Sequence, residues 1–482
     1  MVRRLSAFTL VVMLVTAQAM AQTQTPVPED SSPQPAAQKD EERPCAGCPP
    51  RRLGKAFLQV TIVNGFYELA NLVRGQATAH ITPETWWINM KRGWEWDLDD
   101  FTVNQIGHPY QGNNYYTTGR ANGLNYWESA AITAFGSGTW EYFGETNQAS
   151  LNDFINTTMG GIALGEMFHR AAWLVRDPRA TGKSRTFKEI GALAIDPMTG
   201  INRYLSGDVS RVEDKPSDMV PSKLGATTSF GVAARGSNTS SKPDTTDPFL
   251  EVDLLYGDID GGRSRTPFDA FVVRLGFGGG SPFSEVKVRG RLLGQPFHNG
   301  GLQMSVLQGY QYNKNPAYQF GAQSIEVLTS TVHQFTSQTS MFAGLWGGLT
   351  ILGAVDSIPP GHTGEEEPPP DPDAPQGVST GPRFYDYGPG TNFGGHFIMR
   401  HGPRPWLFVG YEAHHIYVLD GVRANHLLQR GRADLLLPLK GRLGASVTGE
   451  FFDRRTFYQQ EGVERAHFKF PQFRAALTWS SR

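Results

Sequence analysis

Residues 285–292 read EVKVRGRL, and that short run decides how the second half of the chain folds. Glu285, Lys287, Arg289 and Arg291 fall on one side of an extended strand, and Val286, Val288, Gly290 and Leu292 on the other. Side chains alternate across a strand, so a strict period of two predicts one charged face and one apolar face. The same split recurs elsewhere. Leu250, Val252, Leu254 and Tyr256 alternate with Glu251 and Asp253, and Leu443, Ala445, Val447 and Phe451 with Arg442, Ser446, Thr448 and Glu450. Phe473, Ala475, Leu477 and Trp479 alternate with Arg474, Ala476, Thr478 and Ser480.

Two architectures use such strands. A soluble sandwich turns its apolar face inward against a second sheet, whereas an outer-membrane barrel turns it to lipid and lines a polar lumen with the charged face. We count about twelve strand candidates, near 225–236, 246–257, 267–278, 283–295, 301–312, 317–330, 337–355, 384–401, 404–417, 424–437, 440–454 and 464–480. In the later half the breaks alternate long and short. An acidic, Pro-rich excursion (356–383) precedes a tight turn at Gly402, and a modest loop at Asp420-Gly421 precedes a tight one at Pro438-Leu439. A longer loop follows near Gln459–Glu464. Long outer loops alternating with short periplasmic turns fit the barrel. The expectation is a transmembrane antiparallel β-barrel over 223–482, with Val286, Val288 and Leu292 outside and Glu285, Lys287 and Arg289 inside. The last strand ends Trp479-Ser480-Ser481-Arg482 instead of on a terminal aromatic.

Upstream the pattern is different. Residues 1–21 carry Arg3 and Arg4, an apolar core from Phe8 to Val15, and Ala19-Met20-Ala21 before Gln22, the order of an export signal. Residues 22–52 are rich in Pro, Gln, Ser and acids and are expected to be a disordered linker. The chain's two cysteines, Cys45 and Cys48, lie in that linker between prolines, as a local disulfide or an idle pair. After the N-terminus no apolar run of about 18 residues appears, so no transmembrane helix is expected. A net charge of −2 and a pI near 6.6 give no electrostatic case for nucleic acid.

From 53 to 215 the apolar spacing is helical. Lys55–Arg74 reads as one helix, Asn113–Phe135 as a second, and Ser150–Val175 as a third that starts at the S-x-x-D signal of Ser150 and Asp153. Gly161 and Gly165, one turn apart, predict a groove for a close helix contact, and Glu166 and Arg170 an i,i+4 pair. Phe187–Ile195 reads as a helix and DPMTGINRYLSGD after it as a turn-rich exit. Trp86, Trp87, Trp94 and Trp96 cluster beside charge, which suits a membrane interface, a wet crevice or a core edge.

The segments NQIGHPYQGNNYYTTGRANGLNYWES, WEYFGETNQASLNDFINTTMGGIALGE and DPMTGINR resemble domain-of-unknown-function family 3943 over about residues 53–210. The resemblance implies a bacterial envelope protein of undetermined activity and transfers no catalytic residue.

Within this helical domain His108, Glu128, Glu141 and Asp153 are the candidate catalytic groups, suited to general acid–base work. Arg120, Asn122, Glu145, Asn152, Glu166 and Arg170 are candidates for a binding or structural network. The plainest expectation is that Arg120 and Arg170 pair the carboxylates and fix helix packing, since unpaired buried charge is costly. No H-x-x-x-H or H-E-x-x-H spacing occurs, so neither metal nor cofactor is expected. No G-x-S-x-G occurs either, and His333 and Ser337 are the nearest approach to a barrel-wall His/Ser pair. Two functional classes follow. One is a non-enzymatic outer-membrane barrel with a structural, gating or transport-related role, its helical domain at the periplasmic mouth or inside the lumen. The other is an envelope hydrolase acting on lipid or cell-wall material. Outer-membrane lipid and the barrel-assembly machinery are the expected partners, nucleic acid is not, and the ligand is undetermined.

Overall fold

The computed structural model describes residues 47–482 except 237–244, 260–262, 280, 298–300, 316–317, 358–383, 403, 461 and 482. The expected export signal, most of the linker, Cys45 and most of the 356–383 excursion lie outside the described residues. Cys48 is disulfide-bonded.

Twelve strands form the second half: β1 Leu224–Arg235, β2 Thr245–Tyr256, β3 Phe271–Gly278, β4 Ser281–Phe297, β5 Leu302–Asn315 and β6 Tyr318–Gln334. They continue as β7 Thr339–Asp356, β8 Tyr385–His401, β9 Arg404–Tyr417, β10 Ala424–Pro438, β11 Leu443–Tyr458 and β12 Ala466–Ser480. Each pairs antiparallel with the next, and β12 returns to β1 through Leu477 opposite Phe230, so the barrel is closed and has no free edge.

Which face lies inside follows from contacts that span the ring. Strands β4 and β10 stand six places apart in a ring of twelve, yet Glu285 of β4 is hydrogen-bonded to Arg430 of β10. Glu251 of β2 likewise meets Arg432 of β10, and Lys287 of β4 meets Glu412 of β9. Such pairs close only through the lumen. The charged faces are therefore interior, as expected for Glu285, Lys287 and Arg289. The opposite face carries Phe230, Leu345 and Leu477, which are 63%, 71% and 66% exposed. Val286 and Val288 share that outward face but are buried. Leu292 departs from the alternation: a bulge falls between Arg291 and Leu293, and Leu293 takes the exposed outward place opposite Val306.

What buries Val286 and Val288 is the helical domain. Its helices are α1 Leu53–Val73, α2 Pro83–Arg92, α3 His108–Ala121, α4 Tyr126–Phe143, α5 Leu151–Ile155, α6 Gly161–Val175, α7 Gly182–Ile195 and α8 Pro197–Ser206. One apolar cluster joins Phe101, Tyr126, Ile162 and Phe168 of this domain to Val252, Val273, Val288 and Tyr310 of the wall. Gln308 of β5 accepts from the Tyr126 hydroxyl at 2.5 Å and donates to the Met159 carbonyl at 3.0 Å. The Tyr310 hydroxyl donates to the Gln105 carbonyl at 2.5 Å. The domain thus lies against the outside of the barrel wall. Of the two expected placements, the periplasmic mouth and the lumen, the lumen does not hold, because the domain's contacts run to outward-facing residues of the wall.

Three local readings change. The expected helix 113–135 is two helices, since Gly123 takes φ +74° and Asn125 caps α4 in a reciprocal pair with Glu128 at 3.0 Å each way. The expected turn-rich exit is α8, started by the Asp196 side chain accepting from the Thr199 N–H at 2.9 Å with Pro197 at the first position. Residues 47–52 of the expected linker pack against the α3–α4 turn, where the Arg52 N–H donates to the Asn122 carbonyl at 2.9 Å.

Candidate functional site

Helices α3 and α6 meet where glycine removes the side chain from both. A Cβ on Gly112 would overlap the Thr157 carbonyl and sit 2.9 Å from the Gly161 Cα. The close contact expected of Gly161 is made here. Each of these helices is preceded by a π-helical turn, Val103–Gly107 before α3 and Asn156–Gly160 between α5 and α6. A π-turn inserts one residue and re-aims its neighbours, a feature frequent at functional sites. In this fold it brings His108 and Thr157 face to face.

A parallel pairing of Trp94–Glu95 with Ala149–Ser150 then lays the Asp97–Asp99 segment beside the start of α5. The Asn152 amide donates to Asp97 Oδ1 at 2.8 Å and its oxygen accepts from the Asp97 N–H at 3.1 Å. Asn104 donates to the same Asp97 oxygen at 2.9 Å. His108 lies between Thr157 and Asp153: Nδ1 is 3.3 Å from Thr157 Oγ1 and Nε2 is 3.5 Å from Asp153 Oδ1. Glu141 accepts from the Ser150 N–H at 2.8 Å, and Glu145 accepts from the Trp140 indole at 2.9 Å. Ser150 caps α5 by accepting from the Asp153 N–H at 3.3 Å.

His108, Glu141, Asp153, Glu145 and Asn152 therefore belong to one acid-rich cluster, together with Asp97, Asp99 and Asn104, which the sequence reading did not single out. The signal available was the run Asp97–Asp100 beside Trp94 and Trp96, whose meaning depends on the Trp94–Ala149 pairing. Glu128 stands apart. It caps α4 and receives Arg51 at 2.8 Å, thirteen residues from Glu141 on one helix, or roughly 20 Å at 1.5 Å per residue. His333, at the end of β6, packs its ring on Phe335.

The electrostatics of the cluster are those of carboxylates crowded out of water. Burial first, then Asp97, raises Asp153 well above its ordinary value, and burial with Glu145 does the same to Glu141. Burial and Asp97 push Asp99 up to about 7, and burial and Asp99 push Glu145 up to about 7. Burial would raise Asp97 too, but hydrogen bonds from Asp153 and the nearby His108 bring it below its ordinary value. Burial lowers His108, which favours the neutral ring. Asp97 is thus held below and Asp153 above the ordinary carboxylate value, next to an imidazole biased toward its neutral form. Thr157–His108–Asp153 has the order hydroxyl, imidazole, carboxylate, and all three residues are buried. Asp97, Asp99 and His108 also bring ligand atoms within 4.8 Å of one another, a set able to hold a divalent ion.

Arg120 and Arg170 do not neutralise this cluster. They hold Glu166, Arg120 Nε at 3.1 Å and Arg170 Nε at 2.7 Å, while the Tyr116 hydroxyl donates to Glu166 at 2.8 Å. Burial alone would raise Glu166, but the two arginines overcome it and leave the carboxylate below its ordinary value. Arg170 also donates to the Asp218 carbonyl at 2.7 Å and the Pro267 carbonyl at 3.2 Å, which ties the helices to the loop before β3. Asn122 donates to the Thr118 carbonyl at 2.9 Å and to Gln59 of α1 at 2.5 Å.

Fold and site together define a closed twelve-stranded antiparallel barrel carrying a polar-cored helical domain on its outer wall. Residues 93–198 of that domain match the family described as Domain of unknown function (DUF3943), a narrower span than the 53–210 of the sequence resemblance. No curated protein matches the chain. Among solved structures it is similar to the KdgM porin in complex with disordered oligogalacturonate, at 7% identity over 52% of this chain and 98% of that one, with a TM-score of 0.24. It is similar to the NanC porin at 6% identity over 53% and 98%, with a TM-score of 0.25. An anion-selective porin from Comamonas acidovorans matches at 8% identity over 54% and 98%, with a TM-score of 0.21. With scores this low, the architecture rests on the strand pairing described above.

Proposed function

We propose that this chain is a non-enzymatic outer-membrane barrel whose lumen is held shut by a layer of ion pairs, a narrow pore in its closed state. The observation that carries this reading is Arg430. Its two terminal nitrogens sit 2.7 and 2.9 Å from the two oxygens of Glu285 on the opposite wall, and its Nε is 2.7 Å from Glu450. Arg432 bridges to Glu251 at 2.6 and 2.9 Å, and Arg289 to Glu326 at 3.1 Å. Bidentate pairs of this kind are geometrically specific, so the layer has a defined shut arrangement that removal of charge would release. The apolar outer face supports a lipid environment, since a charge facing mid-bilayer costs roughly 2–4 kcal/mol.

Conductance in planar bilayers tests the reading. The wild-type chain should pass little current, and Arg430→Ala with Glu285→Ala should give discrete open steps. A wild type that conducts as an open pore, or a folded double variant that stays closed, would overturn it.

A second reading, an envelope hydrolase, is favoured by the Thr157–His108–Asp153 order alone. Its test is ester hydrolysis by the detergent-solubilised chain against Thr157→Val. Turnover lost in that variant would support it.

A further inference from the structure

Three helices of the domain carry large apolar side chains on their outward face while burying polar or charged ones. On α1 the side turned toward the domain sets polar groups beside the buried Ala56 and Val60: Gln59 donates to Asn202 at 2.7 Å, Asn64 to Thr139 at 3.0 Å, and Tyr67 accepts from Asn114 at 2.7 Å. Its exposed positions include Leu58, Ile62, Phe66, Leu69 and Val73, and none of them is charged. Phe66 is 68% exposed. On α7 the charged Arg185 and Glu189 are buried, whereas Phe187 and Ile190 are exposed, Phe187 by 71%. On α8 Asn202 and Arg203 are buried and Ile201, Tyr204 and Leu205 are exposed, Leu205 by 71%. Water selects the reverse arrangement, because apolar area left in water forfeits about 25 cal/mol per Å² and buried charge is expensive. An apolar solvent selects the one observed.

We propose that the outward face of α1, α7 and α8 is bathed by lipid acyl chains, in the same layer as the exposed barrel wall. The inference rests on the membrane reading of the barrel and extends it from the strands to the helical domain. Continuity is the reason for choosing lipid over a second copy of the chain. The domain is seated on the wall itself, and outward side chains on both flanks of that seat, Phe230 of β1 and Leu349 of β7, are exposed. The apolar positions are also spread over three helices, which suits a fluid solvent. The exposed Trp87, with Lys91 4.9 Å from its ring, and the exposed Trp94 supply the aromatic and cationic residues that settle at a bilayer edge. No helix among the described residues is long and apolar enough to cross a membrane; in this proposal each of the three presents one side to lipid.

The test uses the full-length chain in phosphatidylcholine vesicles, spin-labelled singly at Phe66→Cys, Ile190→Cys or Leu205→Cys. Leu477→Cys on the wall and Lys440→Cys in the β10–β11 turn serve as references. Relaxation by oxygen reports hydrocarbon, and relaxation by a water-soluble nickel chelate reports water. The domain labels should behave like Leu477→Cys, with oxygen relaxation dominant and nickel relaxation lost. Nickel relaxation at the domain labels with oxygen relaxation at Leu477→Cys would overturn the inference and leave the barrel reading standing. Nickel relaxation at Leu477→Cys as well would overturn both. Spin–spin broadening at the domain labels, with access to neither reagent, would assign the face to a second copy and overturn the inference.

Discussion

Arg430 and Glu285 meet through the middle of the barrel from strands on opposite walls, in a two-pronged contact of 2.7 and 2.9 Å. Each is buried among other charges, so neither is compensated by water when its partner is removed. Arg430→Met should lower stability by about 3–5 kcal/mol, because it leaves Glu285 and Glu450 without their shared cation. Arg430→Met with Glu285→Leu should recover part of that loss. The midpoint of heat-modified gel mobility reads both, and a single variant as stable as wild type would show that the ion-pair layer contributes nothing to the barrel.

The α3–α6 contact makes a steric prediction. A Cβ on Gly161 would meet the Gly112 backbone, which cannot swing aside as a side chain would. Gly161→Val should therefore separate the two helices and cost more than the roughly 1–3 kcal/mol typical of overpacking. Gly65→Ala on α1, where a Cβ meets open space, should be silent. Protease resistance of residues 108–175 in the two variants distinguishes them.

The acid cluster makes a prediction with a definite sign. Asp99 and Glu145 are pushed up to about 7, chiefly by burial, so the folded domain holds protons that the unfolded chain releases near pH 4. Stability is then greatest below about pH 4 to 5 as far as these groups are concerned, and falls as pH rises to about 7. Glu166, held below its ordinary value, acts in the opposite direction only in more acidic solution. Urea unfolding followed by tryptophan fluorescence should show the helical domain more stable at pH 5.5 than at pH 8, by roughly 1–3 kcal/mol. Glu145→Gln should flatten that dependence, and a profile rising with pH would refute the assignment.

The barrel was legible because a period-two split needs only neighbouring residues. All twelve strands fall close to their expected places, and Leu292 misleads only because a bulge cannot be read from alternation. The two arginines were legible as partners of carboxylates, but not of which ones. Glu166 shares a helix face with Arg170 at i,i+4, whereas Asp153 meets His108 only through two π-turns and a two-residue sheet that no local pattern announces. Asp97 and Asp99 were missed for the same reason. The seat of the domain on the outer wall was hidden too, since Val286 and Val288 look alike whether lipid or a helix covers them.

That division between the two carboxylate groups yields the sharpest contrast. Glu166 is held below the ordinary carboxylate value and clamped between Arg120 and Arg170, so Glu166→Gln should remove the carboxylate that two buried guanidinium groups share and cost about 3–5 kcal/mol. Glu141 and Asp153 have no arginine partner among their described contacts and are raised well above the ordinary carboxylate range, which favours their protonated form. An amide of the same shape can replace a protonated acid while keeping the bond from the Ser150 N–H to Glu141. Glu141→Gln and Asp153→Asn should therefore change stability by less than about 1 kcal/mol, within the range of a single ordinary hydrogen bond. Urea midpoints of the three variants at pH 7 decide the matter. A large loss in Glu141→Gln or Asp153→Asn would mean that the group is charged after all, with a counter-ion beside it, and the set of Asp97, Asp99 and His108 would be the place to seek one.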